Sequence, residues 1–570
     1  MEEPPTPLKR LDRYARIAAH RVILKAPPAV QAVFSHTEEH RRRKMSKLYE
    51  RGRPIDPSAG TLLFWVPGGM PLLLHVETSI AAAMKLRGYN VHAIICNAPY
   101  RACAARVVND NLPLENWKDV CPRCVAKTSS VLETMGIGYS YIGDFISEEE
   151  REALWESTAD VTWDTLDNLR WEGMGVGKYV RSAVIRFLQG ASVEGHDAVI
   201  REYAYSAMVG ACAANRAITK FNPWRVFMSH GVYTDWGPAL HAALAHGVPV
   251  TAWKSSYLSS HFYLRHVEDP TRMDFNKLTP EVWNEVRSRE LTPRQKARLD
   301  KFFEDRYQRR ISFDMKQPKH YRNDVSDLRA RYAPGEKPVW AVLAHLNWDS
   351  VADYSPMAYP SFDDWMLDTI RTAIATPEVQ WLIKIHPVEA VSNPENGVER
   401  LIEMNFPNLP DHVRVVPAQE DVSPANLFEL IDGGVTVYGT AGLELALRGK
   451  PVILGGEAHY GGKGFTHDGL TPETYRVLLL STSKLRPLTD DQRSLVRRYA
   501  YAHFIRRQVP LEIVRDPHSK WWSLQHQRRE LLLPGNDPFL DFVCDRLLDG
   551  HDFTMGESLV ALSGREVPPL

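Results

Sequence analysis

No stretch of this chain is both long enough and apolar enough to cross a bilayer. The longest nearly apolar run, TLLFWVPGGMPLLLH at residues 61–75, is broken by Pro67, Gly68, Gly69 and Pro71. It falls short of the roughly 20 residues a spanning helix needs. Cysteine is scarce, at six in 570 residues, which excludes a disulfide scaffold. An excess of charge of one sign is also missing, because the formal balance is −1. That excludes a protein that coats nucleic acid, so no nucleic-acid partner is expected. The first residues, MEEPPTPLKRLDRY, lack the apolar centre of a secretion signal. The expected setting is the cytoplasm, with reduced thiols.

What is present is an ordinary globular composition, 44 % hydrophobic and 24 % charged, in a chain too long for one core. Residues 8–26, LKRLDRYARIAAHRVILKA, space Leu8, Leu11, Ala15, Ala18 and Val22 along one helical face, with Lys9, Arg10, Arg13, Arg16 and Arg21 elsewhere. A basic amphipathic helix of this kind packs on its own domain or lies on the inner face of the cytoplasmic membrane. The following HTEEHRRRKMSKLYERGR (36–53) reads as a solvated linker, and 1–58 together as a basic helical extension.

Beyond it the grammar is α/β. TLLFWVPGG is an apolar strand ending in a glycine pair, PLLLHVETSIAAAMKLRG a helix closed by Gly88, and VHAIIC the next buried strand, the opening of a doubly wound fold. Helical patterns dominate 148–221. RVFMSHGVYTDWGPALHAALAHGVPVTAW then gives strand, loop, helix, Gly and strand. VTVYGTAGLELALRGKPVILGG repeats that order about two hundred residues later. Unless this is only common βαβ grammar, it predicts two Rossmann-like domains. They are 59–255, with a helical insert at 125–222, and 336–490. A charged helical connector (256–335) joins them, and a helical segment (491–570) packs back.

Ligands of open α/β sheets bind at the carboxyl ends of strands. Gly68-Gly69, His230-Gly231, Lys384 with His386, and the run Gly439, Thr440, Ala441, Gly442 all fall there. Small residues opening a helix present amides and a partial positive charge to phosphate. Glu444, one turn further, is placed to hold ribose hydroxyls; the alternative is helix-terminal charge, worth about 0.3–1 kcal/mol. Six glycines lie between Gly455 and Gly469, beside Glu457 and His459, and predict a mobile loop that wraps a ligand closely. GMGVGKYV (173–180) is not a phosphate loop, since its spacing is wrong and it follows a helical pattern. Cys96, Cys103, Cys121 and Cys124 form a C-x6-C-x17-C-x2-C set that suits a structural zinc site, with inert thiols as the alternative.

The segment YGTAGLELALRGKPVILGG, with YGGKGFT after it and KIHP before it, resembles the capsular polysaccharide biosynthesis proteins. That family contains Kdo-transferase-like glycosyltransferases of the GT-B type, in which two Rossmann-like domains face across a cleft. LAHLNWDS (343–350) and WLIKIHPVE (381–389) also resemble bacterial surface-carbohydrate transferases. The likeness covers residues 336–480, and the first domain matches only in layout. It implies transfer of a sugar from a nucleotide-sugar donor to a capsular or lipopolysaccharide-type glycan, free or lipid-linked. The donor would lie on Lys384, Gly439, Thr440, Ala441, Gly442, Glu444, His459, Tyr460, Gly461, Gly462 and Lys463. His386 would stabilise the leaving phosphate, and His230 or Asp235 would deprotonate the acceptor. No cofactor is expected for transfer. No Asp-x-Asp pair ends a strand, and Asp363-Asp364 reads as a helix start, so the reaction is expected to be metal-independent. A teichoic-acid-type CDP-polyol phosphotransferase shares the His-Gly and His-Pro outline and is the runner-up. A sugar-nucleotide epimerase and a non-catalytic carbohydrate-binding scaffold remain open.

Overall fold

Two sheets organise the computed structural model, which describes residues 28–107, 114–190, 193–258, 260–270, 275–308, 324–349, 356–392, 397–420, 422–514 and 526–563. The first contains β1 (Thr61–Val66), β2 (Asn90–Ile95) and β3 (Gly138–Tyr141). A small separate hairpin, β4 (Arg170–Trp171) and β5 (Met174–Gly175), precedes β6 (Arg225–Ser229), β7 (Val250–Ser255) and β8 (His261–Val267). The second holds β9 (Val339–Leu343), β10 (Gln380–Lys384), β11 (Val413–Val416), β12 (Gly433–Thr436), β13 (Val452–Leu454) and β14 (His467–Asp468). The last strand, β15 (Val509–Pro510), returns to the first sheet.

β1, β6, β9 and β10 are buried at every position. That is the signature of parallel strands covered on both faces, and it explains why they read as continuous apolar runs. The second sheet runs β11-β10-β9-β12-β13-β14, all parallel. Counted from β9 this is the 3-2-1-4-5-6 order of a dinucleotide-binding fold. The first sheet has β3-β2-β1-β6-β7 parallel, then β8 and β15 antiparallel at one edge. In both sheets the order reverses beside the first strand, between β1 and β6 and between β9 and β12. Two Rossmann-like domains of GT-B type are therefore present.

The structure redraws some boundaries. The first sheet extends past 255 to Val267, and β3 lies inside the stretch read as a helical insert. Residues 36–49 are not a solvated linker but part of the helix Pro28–Tyr49. Met45 and Leu48 are buried, and the Tyr49 hydroxyl donates to the Met135 carbonyl at 2.6 Å. The amphipathic stretch 8–26 lies outside the described residues. Among those residues no helix is long and apolar enough to cross a membrane.

Connector helices Pro280–Arg287 and Pro293–Tyr307 are capped by Thr279 and Thr292, whose hydroxyls accept from the third helical amide, as helix N-caps do. The helix Asp490–Tyr501 follows the second domain. Tyr499 packs on Trp283 and, just beyond the helix, Phe504 packs on Phe302, carrying the chain back to place β15 beside β8.

One buried carboxyl crosses the first sheet. Glu77, on the helix Pro71–Leu86, is 1 % exposed and accepts from the Ser229 amide (2.8 Å) and the Trp253 indole (3.3 Å) through Oε1, while Oε2 has no partner. Burial raises its pKa well above the ordinary value, so folding takes up a proton there. That contribution is fully present below the unfolded pKa and is lost as pH rises toward the folded one. Glu77→Gln supplies a permanently neutral isostere. It is expected to raise Tm at pH 8, leave it nearly unchanged at pH 4, and flatten the melting profile between; scanning calorimetry across pH checks this.

Candidate active site

The second-domain half of the site is built at its switch point. His345 follows β9 directly, and its Nε2 accepts the Tyr438 amide at 2.9 Å from the exit of β12. The ring stacks on Phe362 (centroids 4.8 Å, planes 7° apart). Burial, with the nearby His386 in support, lowers its pKa to about 3, so the acceptor nitrogen stays bare. Gly439 then caps the helix Thr440–Leu447 without any side-chain bond, and the first amides of such a helix point outward. Gly442 is dictated by sterics: a Cβ there would lie 2.2 Å from the Tyr460 hydroxyl. That hydroxyl donates to the Gly439 carbonyl at 2.6 Å. His386 leaves β10 beside this turn. Its Nδ1 accepts the Val388 amide at 3.2 Å, which places the proton of the neutral ring on Nε2.

Facing it are the ends of β6 and β7. His230 follows β6; its Nδ1 accepts from the Val232 amide (3.4 Å), and its ring packs edge-on against Trp236. Burial, then the charges of Arg186 and Lys254, lower its pKa to about 3. Tyr233 is held at φ +63°, a strained position for an aromatic residue. It presents its hydroxyl to Arg186 (2.6 Å) and to Asp349 (3.3 Å). Arg186 also donates to Asp349 at 2.7 Å, which ties the first domain to the loop after β9. A second tie joins the hydroxyls of Tyr257 and Thr440 at 2.6 Å. The carboxyl ends of the two sheets thus meet across one cleft.

The expected residues divide. His230, His386, His459 and Gly439 to Gly442 lie at the cleft-facing ends. Glu444 does not: it is 3 % exposed, and Oε1 accepts from Arg306 (3.0 and 3.2 Å) while Oε2 accepts from Tyr307 (2.6 Å). The carboxylate is consumed by the connector and has no oxygen left for a ribose. Lys384 is buried and donates to the Pro417 carbonyl at 2.8 Å. Tyr460 is fully buried on the Gly439 turn. The Gly461 amide bonds Ala458 and the Gly462 amide bonds Asp468, while Lys463 lies over Trp283 at 5.5 Å. The glycine-rich stretch is therefore anchored, rather than built as a mobile wrap. Gly462 takes φ +66° to turn it, and Tyr499 clamps it by donating to the His459 carbonyl at 2.6 Å.

Asp235 does not face the cleft beside His230. It is buried and accepts from the Ala104 amide at 3.0 Å. It lies next to a pocket at the ends of β1 and β2 lined by Pro67, Cys96, Tyr100, Cys103, Arg106 and Cys121. Burial raises its pKa to about 7. Cys124 lines the same pocket, yet the four cysteines do not form a metal centre. Arg106 donates to the Cys121 sulfur from Nη2 (3.0 Å) and Nε (3.2 Å), which puts a fixed cation where a metal would sit. Among the described residues no group of three or more metal-ligating side chains is so arranged. Asp363 accepts from Asn347 at 2.9 Å at the start of the helix Phe362–Ile374.

Several cleft residues escaped the sequence reading. His345 ends its strand as His386 does, and that position was the signal available. Lys254 also sits at a strand end. Arg186, Asp349, His503 and Arg507 carry no local signal.

Residues 301–483 match the family model described as capsule polysaccharide biosynthesis protein. Over that segment, about a third of its length, the chain is similar to the capsule polysaccharide biosynthesis family. The segment contains β9 to β14, hence the His345–Tyr438 junction, His386 and the Gly439 turn. No curated protein matches the chain. Among solved structures, the Thermosulfurimonas dismutans KpsC beta Kdo 2,4 transferase is 17 % identical, with TM-score 0.33, over 54 % of this chain and 86 % of that one. The beta Kdo 2,7 transferase of the same KpsC gives 13 %, 0.32, 56 % and 88 %. UDP-GlcNAc 2-epimerase from Neisseria meningitidis gives 10 %, 0.22, 75 % and 95 %. With scores this low, the fold rests on the strand order of the two sheets.

Removing one member of a buried ion pair strands the other, at a cost of about 3 kcal/mol. Glu444→Ala is expected to lower the unfolding free energy by that order, seen as a lower urea midpoint. A variant of full stability that binds nucleotide weakly would restore the ribose role.

Proposed function

We propose that the cleft transfers a glycosyl group from a nucleotide-sugar donor to a glycan acceptor, free or lipid-linked. The observation that carries this reading is the uncapped helix Thr440–Leu447 at the switch point of the second sheet, whose first hydroxyl meets Tyr257 of the first domain. A helix start of this kind holds phosphate oxygens. In the reaction the bond between the anomeric carbon and the phosphate oxygen breaks, and negative charge grows on that oxygen. The Thr440 and Ala441 amides and the Nε2 proton of His386 stabilise it from fixed positions. The acceptor hydroxyl bonds the anomeric carbon and releases its proton to water. Neither His230, whose basicity burial has removed, nor Asp235, held on the Ala104 turn away from the cleft, is assigned that proton. Protein donors take the charge-balancing role that a cation plays elsewhere. The family match over 301–483 supports a role in polysaccharide assembly.

A panel of CMP-, UDP-, GDP- and CDP-activated donors, screened by thermal shift and then by product mass, tests the reading. Transfer of a sugar to acceptor supports it. Transfer of a polyol phosphate would replace it with a phosphotransferase, conversion of donor without acceptor with an epimerase, and binding without chemistry with a scaffold. Within a sugar-transferring enzyme, His386→Ala is expected to lower kcat at least about a hundredfold with Tm unchanged; near-wild-type turnover would remove His386 from the mechanism.

A further inference from the structure

Behind the His230 side of the cleft lies a pair of cations, Lys254 and Arg507, neither in an ion pair among the described residues. Lys254, at the end of β7, is partly buried; burial lowers its pKa to about 8 against the pull of Asp349, and the charge of Arg507 adds a smaller push in the same direction as burial. Arg507 is 1 % exposed. Its Nη1 donates to the Lys277 carbonyl at 3.0 Å, but Nε and Nη2 have no partner. Among the described residues neither Lys254 nor Arg507 makes an ion pair. Both lie over the Tyr263 ring, at 6.0 and 5.7 Å. His459, from the glycine-rich stretch, stacks on His503 at 4.3 Å. The Nε2 of His459 and the Nδ1 of His503 are buried without partners. Tyr499 has one hydroxyl proton, and it goes to the His459 carbonyl (2.6 Å). The 2.9 Å contact to Nδ1 then makes that nitrogen the donor and leaves Nε2 bare. Burial and the charges of Lys254 and Arg507 keep both rings neutral.

A buried guanidinium with three unpaired N–H groups beside a second cation is costly, because desolvation is met by no opposite charge. Two arginines elsewhere are matched by carboxylates: Arg306 has Glu444, and Arg87 has Asp541. We propose that Lys254 and Arg507, walled by the neutral His459 ring, which donates nothing to the ligand, form an oxyanion site that takes a phosphate or carboxylate of the bound ligand. It is distinct from the helix start at Gly439. Three parts of the chain build it: the first sheet, the stretch after β13, and the segment that returns to β15. An anion can therefore enter only when these parts are assembled. The site deepens the glycosyl-transfer reading but is tested by binding alone.

The test uses the full chain and two probes, inorganic phosphate and malonate, titrated at constant ionic strength with chloride as the balancing ion and followed by thermal shift and calorimetry. Wild type is expected to show a saturable rise in Tm. Lys254→Met and Arg507→Gln should each weaken the response at least about tenfold, the loss of one charge-assisted contact. Lys254→Met should also melt higher than wild type without anion, because it removes an unpaired buried charge; a lysine serving only as structure would melt lower when replaced. His386→Ala should keep the part of the response that Lys254→Met removes. Response to phosphate alone assigns the site to a phosphoryl group, to malonate alone a carboxylate, and either supports it. No saturable response in wild type, an equal response in both cation variants, or its disappearance in His386→Ala would overturn it. Absence of sugar transfer with the Lys254-dependent response intact would reject the transferase reading and leave this one standing.

Discussion

The hydrogen bond from the Tyr438 amide to His345 Nε2 fixes what the second sheet alone leaves open. Parallel strands are held in register along their length, but at a switch point the two chains leave toward opposite faces, and their last amides lose ladder partners. An imidazole supplies one acceptor at that point, provided its nitrogen is bare. Burial and the neighbouring His386 keep it so, and the stack on Phe362 fixes its plane. Once Tyr438 is held, Gly439 sits where its carbonyl receives Tyr460, the helix begins at Thr440, and the Thr440 hydroxyl reaches Tyr257 of the other domain. A protonated His345 would set a donor against a donor and release that chain of contacts.

The cleft that results is electrostatically lopsided. The second-domain wall offers amides and neutral imidazoles, while the first-domain wall and the returning C-terminal segment offer Arg186, Lys254 and Arg507. Carboxylates that sequence position placed in the cleft are occupied elsewhere, Glu444 by the connector and Asp235 by the Ala104 turn. In a medium of low dielectric, unpaired cations attract an anion strongly and neutral donors add hydrogen bonds without repelling one another. Such a wall pair is suited to an anionic ligand, as the proposed transfer requires.

The central strands of both sheets are legible in the sequence because burial on two faces removes polar residues and leaves runs such as TLLFWV and VWAVL between turn residues, whereas β3, β8 and β11 nearer the edges escape it. Helix starts at Gly439 and strand-end histidines at 230 and 386 follow from the same pattern. β14 and β15 do not, since two residues carry no period. Glu444 misled because its partners, Arg306 and Tyr307, lie more than a hundred residues earlier on a connector whose path no local pattern reveals. The glycines after Leu454 misled in another way. Composition cannot distinguish a backbone that must move from one that must let a neighbour in, and here a Cβ at Gly469 would lie 2.5 Å from the Tyr475 Cα. Lys254 and Arg507 are separated by most of the second domain, and only the return of the chain to β15 brings them together.

The two anion-directed features are therefore encoded in different parts of the chain. The helix start, its glycine and the tyrosine that braces it lie within residues 301–483, where the family match falls. A cradle for phosphate recognises a chemical group common to many activated donors and needs only neutral backbone, so one compact βαβ unit with its following loop suffices. Lys254 and Arg507 lie outside that segment, on the first sheet and the returning tail. Charge placed there can respond to the remainder of the ligand without disturbing the helix start. A fold divided this way can keep its means of holding a phosphate while the opposite wall changes what else it accepts.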